Sequence, residues 1–183
     1  MIIAGGTLLS ADTAQPYREK AWISVTKGRI TAISDSAPKD ISPKTKVIDA
    51  TGRIITPGFV NVHTHAILSM VRGVAEDMGF APAYTIGVPH GHDPSPEEAY
   101  AMAQLGGLEA LCFGSTIIND SFSHQNVALS AMAETGLRAW GCGRIHDVDF
   151  SRVHLGEWTY DTKIGEKTLG EASDLIARFH DPD

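Results

Sequence analysis

Three times after Pro57, a short apolar run rich in β-formers is followed by a stretch with helical signals. Phe59 to His63 reads as the first strand. A helix then begins at Ser95, with Ser95 as N-cap, Pro96 at the first helical position and Glu98 completing a capping box. It is expected to run to about Phe113 and stop at Gly114. Ser115 to Asn119 is the next strand, and Gln125 to Thr135 the next helix, closed by Gly136. Leu137 to Ile145 is the third strand. The last helix is expected over Glu166 to His180, with Leu169, Ala172, Ile176 and Phe179 on one stripe. Strands alternating with helices imply a parallel sheet with right-handed crossovers. The natural candidate is a (β/α)₈ barrel, which needs about 250 residues. A chain of 183 residues is shorter than that. The expected fold class is therefore α/β, with the first part of a TIM-like barrel that is incomplete in this chain and stops where a fourth strand should begin.

The residues before Pro57 have a different texture. Ile2 to Leu9, Trp22 to Val25, Ile30 to Ile33, Val47-Ile48 and Ile54-Ile55 read as short strands, and no helix is expected among them. Lys27-Gly28 is a hairpin signal and Asp49-Ala50-Thr51-Gly52 a turn signal. So few residues bury a low fraction of their surface and need a partner sheet. The expected division is residues 1–57, strands of a β-structure, and residues 58–183, three βα units.

The strand after Pro57-Gly58 ends in His63-Thr64-His65. Side chains alternate faces along a strand. Asn61, His63 and His65 should then share one face. Neutral imidazole is the commonest metal ligand, and a catalytic zinc takes about three protein ligands and an open position. The pair could be two of those three. A bare H-x-H also arises by chance, and two ordinary histidines at a strand end are the competing reading. The buried-strand pattern, the Pro-Gly break before it and the Arg72-Gly73 loop after it favour the metal.

Composition narrows the partners. The net charge is −7 with 43% hydrophobic and 20% charged residues, and no basic run suggests nucleic acid or an anionic membrane. No apolar run approaches the roughly 20 residues that span a bilayer. Met1 to Ala4 lacks the pattern of a signal peptide. Cys112 and Cys142 lie in apolar segments and are expected as buried free thiols. A cytoplasmic location follows.

Over Pro57-Gly58-Phe59-Val60-Asn61-Val62-His63-Thr64-His65, followed by Val71-Arg72-Gly73-Val74-Ala75-Glu76-Asp77, the chain resembles the metal-dependent amidohydrolase superfamily. It looks most like the branch of nucleoside, pterin, cytosine and guanine deaminases and triazine hydrolases. The likeness extends through Gly114 to Asp120 and Leu137 to Asp147. It implies a barrel together with a small β-sandwich, to which the first 57 residues would contribute. It also implies His63 and His65 as ligands of one divalent metal, zinc first, with iron or manganese as other choices. Asn61 resembles the mononuclear deaminase branch and is a candidate to support the ligands by hydrogen bonding, with a satisfied polar residue in the barrel layer as the competing reading. The branch implies deamination of an aminated heterocycle of purine, pyrimidine, pterin or triazine type by a metal-activated hydroxide. Dechlorination and cyclic-amide hydrolysis are the alternatives. The family's remaining ligands and its proton-shuttling Glu belong to later strands, so no catalytic residue is assigned within this chain. The rest would come from further chain, a second chain or a homo-oligomer; an inactive fragment or structural half is the reading of a different class.

Other residues at the expected site end are candidates for substrate contact: Arg72, Asp120, His124, Arg144 and His146. For Arg72 a salt bridge to Glu76 or Asp77 competes, and for the others loop hydrogen bonding. His90 and His92 read as surface loop histidines, with a substrate-facing role as the alternative. Trp140 reads as core. Relatives acting on thioether nucleosides carry Glu in the stretch matching Ala81-Pro82-Ala83, and its absence here argues against that substrate class.

Overall fold

The computed structural model describes residues 1–74, 94–150, 153 and 156–180. The chain divides into two compact units, Met1–Pro57 and Gly58–Asp183.

The first unit is a five-stranded sheet. β1 (Ile2–Leu9) is its axis, and β2 (Tyr17–Thr26) and β3 (Arg29–Ser34) form an antiparallel hairpin beside it. Lys27 and Gly28 both take positive φ, +50° and +75°, the pairing that a two-residue hairpin turn requires. β4 (Val47–Asp49) and β5 (Ile54–Ile55) each run parallel to β1 and do not pair with one another. The turn between them is held by Asp49 Oδ1, which accepts the Thr51 N–H at 2.9 Å. Leu8, Ala21 and Ile23 make a small core.

The second unit carries the alternating elements. β6 (Phe59–Thr64), β7 (Ser115–Asp120) and β8 (Arg138–Gly141) lie side by side in that order and are all parallel. α1 (Pro96–Cys112) connects the first two strands and α2 (Gln125–Glu134) the next two. Ser95 caps α1 as its sequence requires, with its hydroxyl accepting from the Glu98 N–H and the Glu98 carboxylate accepting from the Ser95 N–H. Glycines close both helices: Gly114 and Gly136 sit at φ +89° and +91°.

Ala66, Ala103, Ile118, Ala128, Leu129, Ala131, Met132, Leu137 and Leu175 fill the space between the sheet and its helices. Ile118 and Met132 are fully buried, and each such side chain contributes about 1.5–3 kcal/mol. α1 turns Ala99, Ala103 and Gly107 inward, one small residue per turn, so it lies close to the layer beneath it. Gly58 permits a second close approach: a Cβ there would fall 2.2 Å from the Thr116 side chain.

Several expectations change. The third strand is four residues long, ending at Gly141. The last helix, α3 (Thr162–Phe179), starts a turn before the expected Glu166, because the Asp161 carboxylate caps it by accepting the Lys163 N–H at 2.9 Å. Its inward stripe is Thr168, Ala172 and Leu175, while Leu169 and Ile176 are exposed. The rotation is set by Thr168 Oγ1, which donates to the His146 carbonyl at 2.8 Å and accepts from the His146 N–H at 3.2 Å.

Trp140 is not core; it is 68% exposed. Ala139 packs against the helices, and a Cβ on Gly141 would strike Leu129. Alternation therefore sends Trp140 to the opposite face. Both cysteines are exposed as well. Cys112 is the last residue of α1 and Cys142 the first after β8, so their apolar sequence neighbours do not share a buried face with them. Among the described residues, no helix is long and apolar enough to cross a membrane.

Candidate active site

β6 delivers His63 near its C-terminal end, and His65 follows as the N-cap of a 3₁₀ segment, Ala66–Val71. The imidazole centroids stand 4.8 Å apart with their planes at 72°. His63 is exposed and His65 half-buried. Asn61 Oδ1 accepts the His63 backbone N–H at 3.2 Å, a contact with the backbone that carries the imidazole.

His65 is boxed in by its neighbours. Phe122, buried, lies 4.9 Å from its ring, and the Arg144 guanidinium sits over Phe122 and over Phe150, 5.5 and 4.8 Å from the two centroids. His65, Ser121, Phe122, Gly143, Arg144 and Ile145 line an open cavity of about 440 Å³, a size typical of small-molecule sites. Burial holds the His65 imidazole below its ordinary value, and the nearby His63 pushes the same way. The Asp120 carboxylate and a hydrogen bond to the Ser121 backbone oppose this. His65 is therefore kept neutral near pH 7 with a lone pair available.

That lone pair has an observable consequence. Nδ1 of His65 is buried and has no hydrogen-bond partner. A buried polar atom without a partner is costly, and a metal ion is one group that would satisfy it. His63 and His65 thus fit two positions of a metal's ligand set. Among the described residues, no group of three His, Cys, Asp or Glu could hold a metal ion.

The other candidates separate. Arg144 lines the cavity. His146 lies beyond it, tied through its backbone to Thr168 and stacked 4.6 Å from Phe150. His124 is the N-cap of α2 in a left-handed conformation, φ 56°, and its carbonyl accepts from the Val127 and Ala128 N–H groups. It does not line the cavity. Arg72 forms an ion pair with Glu109 of α1; Glu76 and Asp77 lie outside the described residues. So do His90, His92 and the Ala81-Pro82-Ala83 stretch. Asp120 is 0% exposed, on the helix side of β7, and cannot reach a substrate. Sequence reasoning missed Phe122, Asn119 and Gly106. The last left a trace, since adjacent glycines in mid-helix lower propensity and call for a packing reason.

An imidazole pair at the C-terminal edge of a parallel sheet, opening on a cavity, is the layout of an α/β ligand site. Residues 54–179 match the Amidohydrolase family, and the chain belongs to that family. It is 31% identical over 140 residues to a 5-methylthioadenosine/S-adenosylhomocysteine deaminase from Thermococcus kodakarensis, an overlap of 74% of this chain and 33% of the relative. It is 36% identical over 147 residues to a 5'-deoxyadenosine deaminase from Methanobrevibacter smithii, 78% of this chain and 33% of the relative. Among solved structures, atrazine chlorohydrolase TrzN from Arthrobacter aurescens, complexed with zinc, superposes with a TM-score of 0.77 at 20% identity. That match covers 100% of this chain and 44% of TrzN. The chain spans about a third of the length of the curated relatives it matches. The branch expected from the residues, deaminase and chlorohydrolase-like, is the branch these relatives represent.

Proposed function

We propose that the chain is the N-terminal portion of a metal-dependent hydrolase of non-peptide C–N bonds, which deaminates an aminated heterocycle. The observation that carries the reading is the His63–His65 pair, 4.8 Å apart beside an open cavity, with Nδ1 of His65 buried and unpartnered. In this reading residues 58–183 are the first three βα units of a (β/α)₈ barrel, and residues 1–57 are strands of a β-sandwich. The sequence-order parallel sheet β6-β7-β8 supports the barrel. Exposed Val60, Val62 and Trp140 suit burial by later strands, from further chain, a second chain or a homo-oligomer. A cytoplasmic setting suits the two free thiols.

His63 and His65 would hold one divalent metal, zinc by analogy with the TrzN complex. The chemistry such a metal supplies is a water acidic enough to act as a nucleophile near neutral pH. Burial keeps His65 in the neutral form that can ligate. Phe122, buried, packs beside the His65 ring. Arg144 lies over Phe122 and Phe150 and lines the cavity; a planar guanidinium suits acceptor groups on a substrate.

Dechlorination is the second reading, favoured by the fold likeness to a chlorohydrolase. Deamination ranks first because the relatives with higher sequence identity are named as deaminases. A relative named for thioether nucleosides keeps such nucleosides in the assay beside the expectation drawn from Ala81-Pro82-Ala83, which lie outside the described residues. The intact, zinc-loaded protein should release ammonia from 5'-substituted adenosine nucleosides. Chloride release from a chloro-triazine without ammonia from any aminated heterocycle would establish the second reading. Neither product would defeat both.

A further inference from the structure

The β6–β7 ladder slips where the histidines are. Asn61 pairs with Ile118 and Thr64 with Asp120, so three steps on β6 face two on β7. The irregularity falls on Val62 and His63, which lose regular ladder partners. Two consecutive residues of β7 bridge the gap. Asn119 Nδ2 donates to the Val62 carbonyl at 3.2 Å. Asp120 Oδ1 accepts the Ala66 N–H at 2.8 Å. The Ser121 N–H then donates to the Thr64 carbonyl at 3.3 Å.

Alternation sends Asn119 and Asp120 to opposite faces of β7. The five residues from Val62 to Ala66, which bear both imidazoles, are thus gripped at one end on one face and at the other end on the other. Each grip is itself braced. The second Asp120 oxygen accepts from Gln125 Nε2 at 2.7 Å, and both residues are buried. Asn119 Oδ1 accepts from Cys142 Sγ at 3.3 Å, which carries the tie onward to the end of β8. Hydrogen bonds to a carboxylate are roughly twice as strong as neutral ones, so the Asp120 end is the firmer of the two.

We infer that Asn119 and Asp120 are positioning residues for the His63–His65 pair, fixing the backbone that aims both imidazoles at a metal; the inference rests on the metal-site reading above. Neither touches substrate. Both act by removing freedom that the ligand segment would otherwise lose on binding the ion.

The test is zinc affinity of the intact protein, measured by competition with a chromogenic chelator alongside the melting temperature. Asn119→Ala and Asp120→Ala should each weaken zinc binding by about 10- to 100-fold in protein that remains folded. Ser173→Ala, exposed on α3, should leave it unchanged. Asp120→Asn should retain much of the affinity, because its amide oxygen still accepts from the Ala66 N–H while its Nδ2 can donate to the Gln125 carboxamide oxygen once that group turns over. A purely structural role would lower the melting temperature without moving zinc affinity, and that result overturns the inference. If Asp120→Ala fails to fold, Asn119→Ala carries the same comparison from a half-buried position. His63→Ala separates the two readings. Loss of zinc in that variant, with wild-type affinity in Asn119→Ala and Asp120→Ala, sinks the positioning role and leaves the metal site standing. Undiminished zinc in His63→Ala sinks both.

Discussion

Gly106 of α1 lies against Ala66 so closely that a Cβ on the glycine would come within 2.5 Å of the Ala66 carbonyl oxygen. Ala66 directly follows the histidine pair, and its N–H is the group that Asp120 holds. The helix therefore presses on the peptide that ends the ligand segment. Replacing glycine by alanine in an ordinary helix interior gains about 1 kcal/mol. Here the obstacle is backbone, which cannot swing aside, and overpacking of that kind costs about 1–3 kcal/mol. Gly106→Ala should lower the melting temperature of the intact protein. A thermal scan showing an unchanged or higher midpoint would refute the close approach.

Arg144 offers a functional prediction. Its guanidinium lies over Phe122 and over Phe150 and lines the cavity beside His65. Lysine keeps the charge but loses the plane and the fork of donors. Arg144→Lys should raise KM about tenfold or more while kcat changes less, since about 1.4 kcal/mol of lost binding is tenfold. Steady-state kinetics with wild-type KM would remove Arg144 from the substrate contacts.

Thr168 supplies a stability prediction. Its hydroxyl serves both the N–H and the carbonyl of His146 and is buried. Thr168→Val keeps the shape and leaves both backbone groups without this partner, at a cost of about 1–3 kcal/mol each at most. Urea unfolding should show the loss, and a midpoint equal to wild type would contradict it.

The pH dependence of the metal-free protein follows from the histidines. His65 and His146 are both held below the ordinary imidazole value of 6.5, chiefly by burial. The unfolded chain therefore takes up these protons more readily than the folded one. Their contribution to stability is present above 6.5 and is lost as pH falls through the lowered folded values. Asp120, pushed up from 3.8 by burial, acts in the opposite sense: its contribution is present below 3.8 and is lost as pH rises through its folded value. Urea midpoints of metal-stripped protein should fall between about pH 7.5 and about pH 5.5. The fall should be smaller in His65→Asn. An equal fall in that variant would show that His65 is not the group responsible.

The sequence by itself determined the elements whose signals are local. Ser95-Pro96 with Glu98, the closing glycines 114 and 136, and Lys27-Gly28 each act within one turn of chain, and each element stands where its signal put it. The H-x-H spacing also marked His63 and His65 as a pair, and their rings stand 4.8 Å apart. Only the tertiary structure decided how the segment carrying them is held. The slip between Asn61 and Thr64, the grips of Asn119 and Asp120, and the press of Gly106 all join residues from about 40 to about 60 positions apart, and local propensity carries no information at that range. The same reason explains the misplaced stripe of α3, whose rotation is fixed by the Thr168 hydroxyl meeting the His146 backbone in the loop after β8, and the exposure of Trp140, whose facing depends on which side of the sheet the helices cover.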